Sequence, residues 1–343
     1  MCVLAAVMIV LDGQACGPRG PVHTRPGRHV MGALEQWTGR RLIRDGVAMV
    51  LDQFQEGVHV TDQGRRIGWM LRGPAAGRGV VYLHGQPGSR REQLLLGDEL
   101  LRRDDLRVLS IDRAGYGDTD PAGTDRREVA RDALTVASAH RLSSFVAVGV
   151  SQGGIYALTV AALAPERVHR VVLVSGHVLP YDDDEVVAGL SEAEQADLSL
   201  LRAGPSPELD ESYAGMAAAI AGDPVGAFAP LVANWSRPEQ AWFTRPDIQA
   251  VLVDDMRLAY RQGHRGQLDD GLRTVAALEI DLKSVTMPVR ALHGSSDDLE
   301  PYANLERLAS RLPDIQMVRF EGMSHFGPLA WPGLITAMIA ADT

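Results

Sequence analysis

Short apolar runs bounded by turn residues recur along the chain: VVYLH (80–84), RVLSID (107–112), FVAVGV (145–150), VVLVS (171–175), VRALH (289–293) and MVRF (317–320). Their length and β-branched content predict strands covered on both faces. Between several of them the pattern changes. REVARDALTVASAHRL and NLERLASRL carry apolar residues at helical spacing, which predicts amphipathic helices. Strands alternating with helices argue for a parallel sheet flanked by helices, so the chain is assigned to the α/β class. Upstream, VHVTD and RIGWMLR are joined by a turn at Gln63-Gly64, which predicts a hairpin on an antiparallel edge.

The alternation stops between residues 178 and 284, where helical patterns occur without a convincing strand. The stretch SEAE, Ser191 to Glu194, is a capping box that opens one helix, and Arg245-Pro246-Asp247 opens another running toward Gln262. Residues 178–284 are therefore read as a helical cap, or lid, over the C-terminal edge of the sheet. Residues 51–177 and 285–343 form the core. Residues 1–50 are expected to be a partly irregular N-terminal extension, because turn residues and positive charge occur there without hydrophobic periodicity.

Composition narrows the classes of partner. The 343 residues carry a net charge of -10, and residues 181–284 alone hold 19 acidic and 8 basic side chains. An acidic surface repels phosphate, so nucleic acid and anionic membranes are excluded as partners. Cys2 and Cys16 are the two cysteines, both near the start, so the core has no disulfide framework and no cysteine cluster for a metal. A reducing, cytoplasmic location is expected. Met1 to Leu11 is apolar but lacks the basic flank of a secretory signal, and no stretch approaches the roughly 18 apolar residues of a membrane span.

The sharpest chemical signal is Gly149-Val150-Ser151-Gln152-Gly153-Gly154, placed between a strand and a small-residue helix. Such a turn strains the serine backbone and exposes the hydroxyl above the sheet. A serine hydroxyl needs an imidazole to take its proton and an acid to orient that imidazole. Both lie downstream in the order serine, acid, histidine: Asp297 or Asp298 in ALHGSSDDLEP, and His325 in FEGMSHFGP. Of the 10 histidines, His23 and His29 fall in the extension, and His84 and His293 end strands where a structural role suffices. No histidine pair has the close spacing of a metal site, so no metal is expected. Oxyanion donors are expected from the backbone N–H of Gln152 and, in the loop after VVYLH, from that of Gln86.

With these segments in view, the chain from about Gly57 onward resembles the α/β-hydrolase superfamily. The resemblance rests on HGQPG (84–88), DRAGYGDTD (112–120), GVSQGG (149–154), HGSSDDLEP (293–301) and GMSHF (322–326). It implies Ser151 as nucleophile, His325 as base, and Gln86 and Gln152 as oxyanion donors. It also selects Asp297 over Asp298, with Pro301 as marker. Glu300 and Ser324 depart from the hydrophobic residue and the glycine usual there. A serine in the elbow argues against the epoxide-hydrolase and dehalogenase branches, which place aspartate there. Asp112 and Arg113 are read as pinning the loop after their strand. The elbow glycines do not make a dinucleotide fingerprint and HGQPGSR lacks a P-loop lysine, so no cofactor is expected.

The expected reaction is hydrolysis of an ester, lactone or thioester of a mainly apolar small molecule through an acyl-serine intermediate. Tyr213, Phe228, Trp235, Trp242, Phe243 and Tyr260 in the insert offer aromatic surface for a pocket, with Trp235, Trp242 and Phe243 singled out as its walls. The same constellation also serves C–C bond hydrolysis, acyl transfer or a cofactor-free rearrangement, or an idle triad in a ligand receptor. Oligomeric state is left open.

Overall fold

Runs of β-branched and aliphatic residues build one eight-stranded sheet: β1 (Gln55–Val60), β2 (Arg66–Arg72), β3 (Arg78–Leu83), β4 (Leu106–Ile111), β5 (Phe145–Val150), β6 (Val168–Val174), β7 (Val289–Gly294) and β8 (Ile315–Phe320). The computed structural model describes residues 54–341 apart from 124, 183, 189 and 191. The expected extension over residues 1–50, both cysteines and Ser191 lie outside the described residues. Spatial order is β1-β2-β4-β3-β5-β6-β7-β8. Strands β3 to β8 pair in parallel, while β1 and β2 pair antiparallel and dock antiparallel on β4. The hairpin predicted at the edge is therefore present, turning through Gly64 at a φ of 82°.

The strand period of two sorts side chains into two cores. In β3, Val81 and Leu83 face one side, where they join Val129, Ala133 and Val136 of α2 (Arg126–Ala139) and residues of α3 (Gly153–Leu163). Val80 and Tyr82 face the other side. There they join Leu94 to Leu96, Leu100 of the short α1 (Gly97–Leu101) and apolar residues from the chain between β6 and β7. That chain is helical: α4 (Asp184–Ala188), α5 (Glu192–Ala203), α6 (Pro207–Gly222), α7 (Pro224–Val232), α8 (Arg237–Phe243), α9 (Pro246–Ala259) and α10 (Arg265–Thr274). The apolar stripe of α9 turns inward, with Ile248, Val251, Leu252 and Met256 buried. The chain closes with α11 (Tyr302–Ala309), between β7 and β8, and α12 (Pro332–Ala340) after β8.

The helical segment is tied to the sheet by buried charge. Arg113, just beyond β4, pairs with Asp270 of α10, both without measurable exposure. Asp270 also accepts from Tyr156 Oη of α3 at 2.6 Å and pairs with Arg273 at 3.1 Å. Burial would raise the Asp270 pKa, but Arg113 and Arg273 outweigh it and hold the carboxyl below its ordinary value. Arg113 further donates to the carbonyls of His84 at 3.1 Å and Gly85 at 2.7 Å. Asp112 accepts from the Arg90 N–H at 2.8 Å and the Asp118 N–H at 2.9 Å, so the pair does pin the loops at this edge. Among the described residues no single helix is long and apolar enough to cross a membrane.

Candidate active site

Strand β5 ends at Val150 and α3 begins at Gly153, so Ser151 sits on the turn between them with a φ of 49°. That left-handed conformation is disfavoured for a residue with a Cβ and marks local strain. It is held by the Ser151 N–H bonded to Val174 O at 2.9 Å and the Ser151 carbonyl accepting from His177 N–H at 2.8 Å. A Cβ on Gly149 would strike the Gly153 backbone, and one on Gly153 would strike the Leu83 carbonyl, so larger residues would force the turn open.

His325 follows β8 and lies 5% exposed against Ser151's cavity. Its Nδ1 meets Asp297 Oδ2 at 2.9 Å and Oδ1 at 3.1 Å. Asp297 itself is fixed from three further directions: the N–H groups of Leu299 at 3.0 Å and Glu300 at 2.9 Å, and His293 Nε2 at 3.1 Å. Burial would raise the pKa of this carboxyl, yet the two histidines beside it hold it well below the usual carboxylate range. Burial likewise pushes His325 down, and the charge and hydrogen bond of Asp297 outweigh it, leaving the imidazole above its ordinary 6.5. Asp298, the neighbouring alternative, is exposed and makes no hydrogen bond to His325.

Ser151 and His325 both line one cavity of about 70 Å³, together with Gln86 and Gln152. The Gly85 N–H is occupied by Glu92 Oε2 at 2.8 Å, which leaves the Gln86 N–H as the first free donor in that loop. The Gln86 side chain donates to Gln267 O of α10 at 2.9 Å, fixing the loop to the helical segment. His84 is structural as expected, its Nε2 accepting from the Arg113 N–H at 2.9 Å. Among the described residues no group of three His, Cys, Asp or Glu side chains is arranged to hold a metal ion.

One expectation is corrected. Trp235, Trp242 and Phe243 do not line this cavity; Phe228, Leu231, Leu252 and Met256 are the insert's apolar contributors. All three are buried in the core cluster, and Trp235 packs on Phe243 and on Phe326 of the histidine loop. Trp235 lies 5.6 Å from Phe243 and 4.6 Å from Phe326 between ring centroids, and it is Phe326 that lines the cavity.

Four buried acids near the site were given no role from sequence, although Glu300 was noted as a departure from the family pattern. Glu239 of α8 caps its own helix through Ser236 N–H at 3.1 Å and accepts from Ser324 N–H at 3.1 Å and from the Ser324 hydroxyl. The S-x-x-E spacing from Ser236 to Glu239 is the signal that would have found it. Glu300 lines the cavity and accepts from Tyr181 Oη at 2.7 Å and His177 Nδ1 at 3.1 Å, which accounts for a carboxylate where an apolar residue was expected. Glu92 and Asp255 line the same cavity. Asp255 falls on the Ile248, Val251, Leu252, Ala259 stripe of α9, a polar residue at a core position.

A mostly parallel sheet of this order with a strained serine turn and an aspartate-bound histidine defines a class of hydrolytic fold. The family model for the alpha/beta hydrolase fold matches residues 80–329, and the chain belongs to that family. It is 26% identical over 233 residues to rhodomycin D methylesterase of Streptomyces sp. (strain C5), covering 65% of this chain and 74% of that one. It is 29% identical over 285 residues to a non-heme chloroperoxidase of Streptomyces lividans, covering 78% and 92%. Among solved structures, an alpha/beta hydrolase fold protein from Chitinophaga pinensis superposes with a TM-score of 0.61 at 16% identity, covering 82% of this chain and 94% of that one. The family and the esterase-named relatives support a hydrolase acting on esters.

Proposed function

We propose that the protein is a serine hydrolase that cleaves an ester, lactone or thioester of a mainly apolar small molecule through an acyl-serine intermediate. The observation that carries this reading is the shared cavity of Ser151 and His325, with Asp297 bonded to the far nitrogen of the imidazole at 2.9 Å. In this mechanism His325 Nε2 takes the Ser151 proton as Oγ attacks the substrate carbonyl. The oxyanion of the tetrahedral intermediate lies against the N–H groups of Gln86 and Gln152, donors fixed before reaction. His325 then returns the proton to the departing alcohol or thiol. A water, deprotonated by the same imidazole, releases the acid and restores Ser151. Asp297 keeps the imidazole oriented and stabilises its charged form.

Residues 178–284 act as the cap in this reading. Phe228, Leu231, Leu252 and Met256 supply apolar walls from that segment, which supports substrates with an apolar body. Ser151→Ala tests the core of the proposal with p-nitrophenyl butanoate: kcat should fall by roughly 10⁴ to 10⁶ fold in a folded protein. The wild type, and not this variant, should be labelled by a fluorophosphonate. Turnover above a few per cent of wild type in the variant would remove Ser151 from the role of nucleophile.

A further inference from the structure

The cavity lined by Ser151 and His325 also holds a carboxyl whose two oxygens are treated unequally. Asp255, 1% exposed on α9, accepts with Oδ1 from the Ser89 N–H at 3.0 Å and from the Ser89 hydroxyl. Its Oδ2 is buried and has no hydrogen-bond partner. Beside it Glu92 has both oxygens occupied, Oε1 by Tyr82 Oη at 3.0 Å and Oε2 by the Gly85 N–H at 2.8 Å. A carboxylate gains from two donors, whereas an unpaired oxygen in an apolar wall is costly as an anion and useful as O–H. The geometry thus assigns the negative charge to Glu92 and a proton to Asp255 Oδ2. Two other residues that line the cavity, Gln152 and Ser175, also hold buried atoms that can donate and have no partner, Gln152 Nε2 and Ser175 Oγ.

Resting on the serine-hydrolase reading, we propose that Asp255 is a specificity residue that donates a hydrogen bond to a second oxygen of the substrate, a ketone, hydroxyl or ether oxygen carried on its apolar body. Donors without partners, gathered around one cavity, match a ligand rich in acceptors and poor in donors of its own. Titration points the same way: burial first, and then the charge of Glu92, push the Asp255 carboxyl well above its ordinary value. A neutral buried carboxylic acid serving as donor is a known device for recognising developing or resident oxygen charge. A substrate ammonium is the competing occupant, and it would require the opposite protonation state.

The test compares p-nitrophenyl hexanoate with its 4-oxo and 5-oxo analogues and with p-nitrophenyl 6-aminohexanoate. In the wild type kcat/KM should favour one keto ester over hexanoate by about tenfold, the value of one net hydrogen bond. Asp255→Asn retains a donor in the same place and should keep most of that ratio, and Asp255→Leu should abolish it. No preference in the wild type, or a preference that survives in Asp255→Leu, overturns the proposal. Preference for the amino ester that is lost in both variants overturns it in favour of a cation site. Calorimetric binding of the same esters to Ser151→Ala gives the ratio without turnover. Loss of the serine mechanism and loss of the Asp255 contact are thereby read separately.

Discussion

Glu239 links the helical segment to the loop that carries His325, and removing its carboxylate tests whether that link governs the imidazole. In Glu239→Ala the Ser324 N–H and hydroxyl both lose their acceptor, and Ser324 is only 8% exposed. Two buried donors left unsatisfied cost about 1 to 2 kcal/mol each, and loss of the α8 cap adds about 1 kcal/mol. The expected loss is about 4 kcal/mol, a large part of the roughly 5 to 15 kcal/mol that stabilises a typical domain. With a urea slope near the upper value of about 3 kcal/mol per molar, the unfolding midpoint should fall by roughly 1 M. Activity should report more than stability. A histidine misplaced by about 1 Å costs on the order of 10² in rate, so kcat for p-nitrophenyl butanoate should drop by that factor at a temperature where the variant is folded. KM should change little, because Glu239 does not line the cavity. Glu239→Gln keeps one acceptor oxygen and should recover most of kcat. A folded Glu239→Ala with wild-type kcat, whatever its urea midpoint, would refute a role in placing His325 and leave the residue a fastener only.

Asp297→Asn should lower kcat by about 10⁴, the loss typical of an orienting carboxylate, whereas Asp298→Asn should have a much smaller effect in the same p-nitrophenyl assay. Because the proposed mechanism needs a neutral His325 to accept the serine proton, and its pKa is raised above 6.5, kcat/KM should rise with pH on a limb centred above 6.5. The limb should move to lower pH in Asp297→Asn, since the charge that holds the proton on the imidazole is gone; an unmoved limb would detach it from His325. Phe228→Ala should shift preference between butanoate and decanoate esters, while Trp242→Ala should cost about 3 to 5 kcal/mol in urea unfolding and leave that preference in place.

The central strands were readable because a strand covered on both faces must be a short, continuous apolar run, and β5 was placed to the residue. The serine turn was readable because its glycines answer backbone collisions that any sequence would have to avoid. His325 and Asp297 followed from chain order and resemblance, and the 2.9 Å contact brings those two side chains together. The cavity wall was not readable. Which ring of a helical segment faces the sheet depends on how α7, α8 and α9 cross it, and Trp235 spends its area on Phe326 and Phe243 instead. Acids such as Asp255 and Glu239 read as solvent-facing by type. Only their positions, one on an apolar stripe and one in a capping box, pointed inward.

The buried contact of Arg113 with Asp270, together with the Gln86 amide on the Gln267 carbonyl, has a consequence for recombining this scaffold. Residues 184–274 look like a cassette that could be exchanged for a homologous one to alter selectivity. Its ends lie in the connections after β6 and before β7, but the fully buried ionic link to the core lies inside it, at position 270. A graft without an acid there would strand a guanidinium in the interior, at a cost of about 3 to 5 kcal/mol. It would also release the loop bearing Gln86 from two of its tethers. The unit of exchange is therefore the cassette plus Arg113 and the 84–88 loop, and libraries cut at the strand boundaries alone would sample broken hydrolases more often than altered ones.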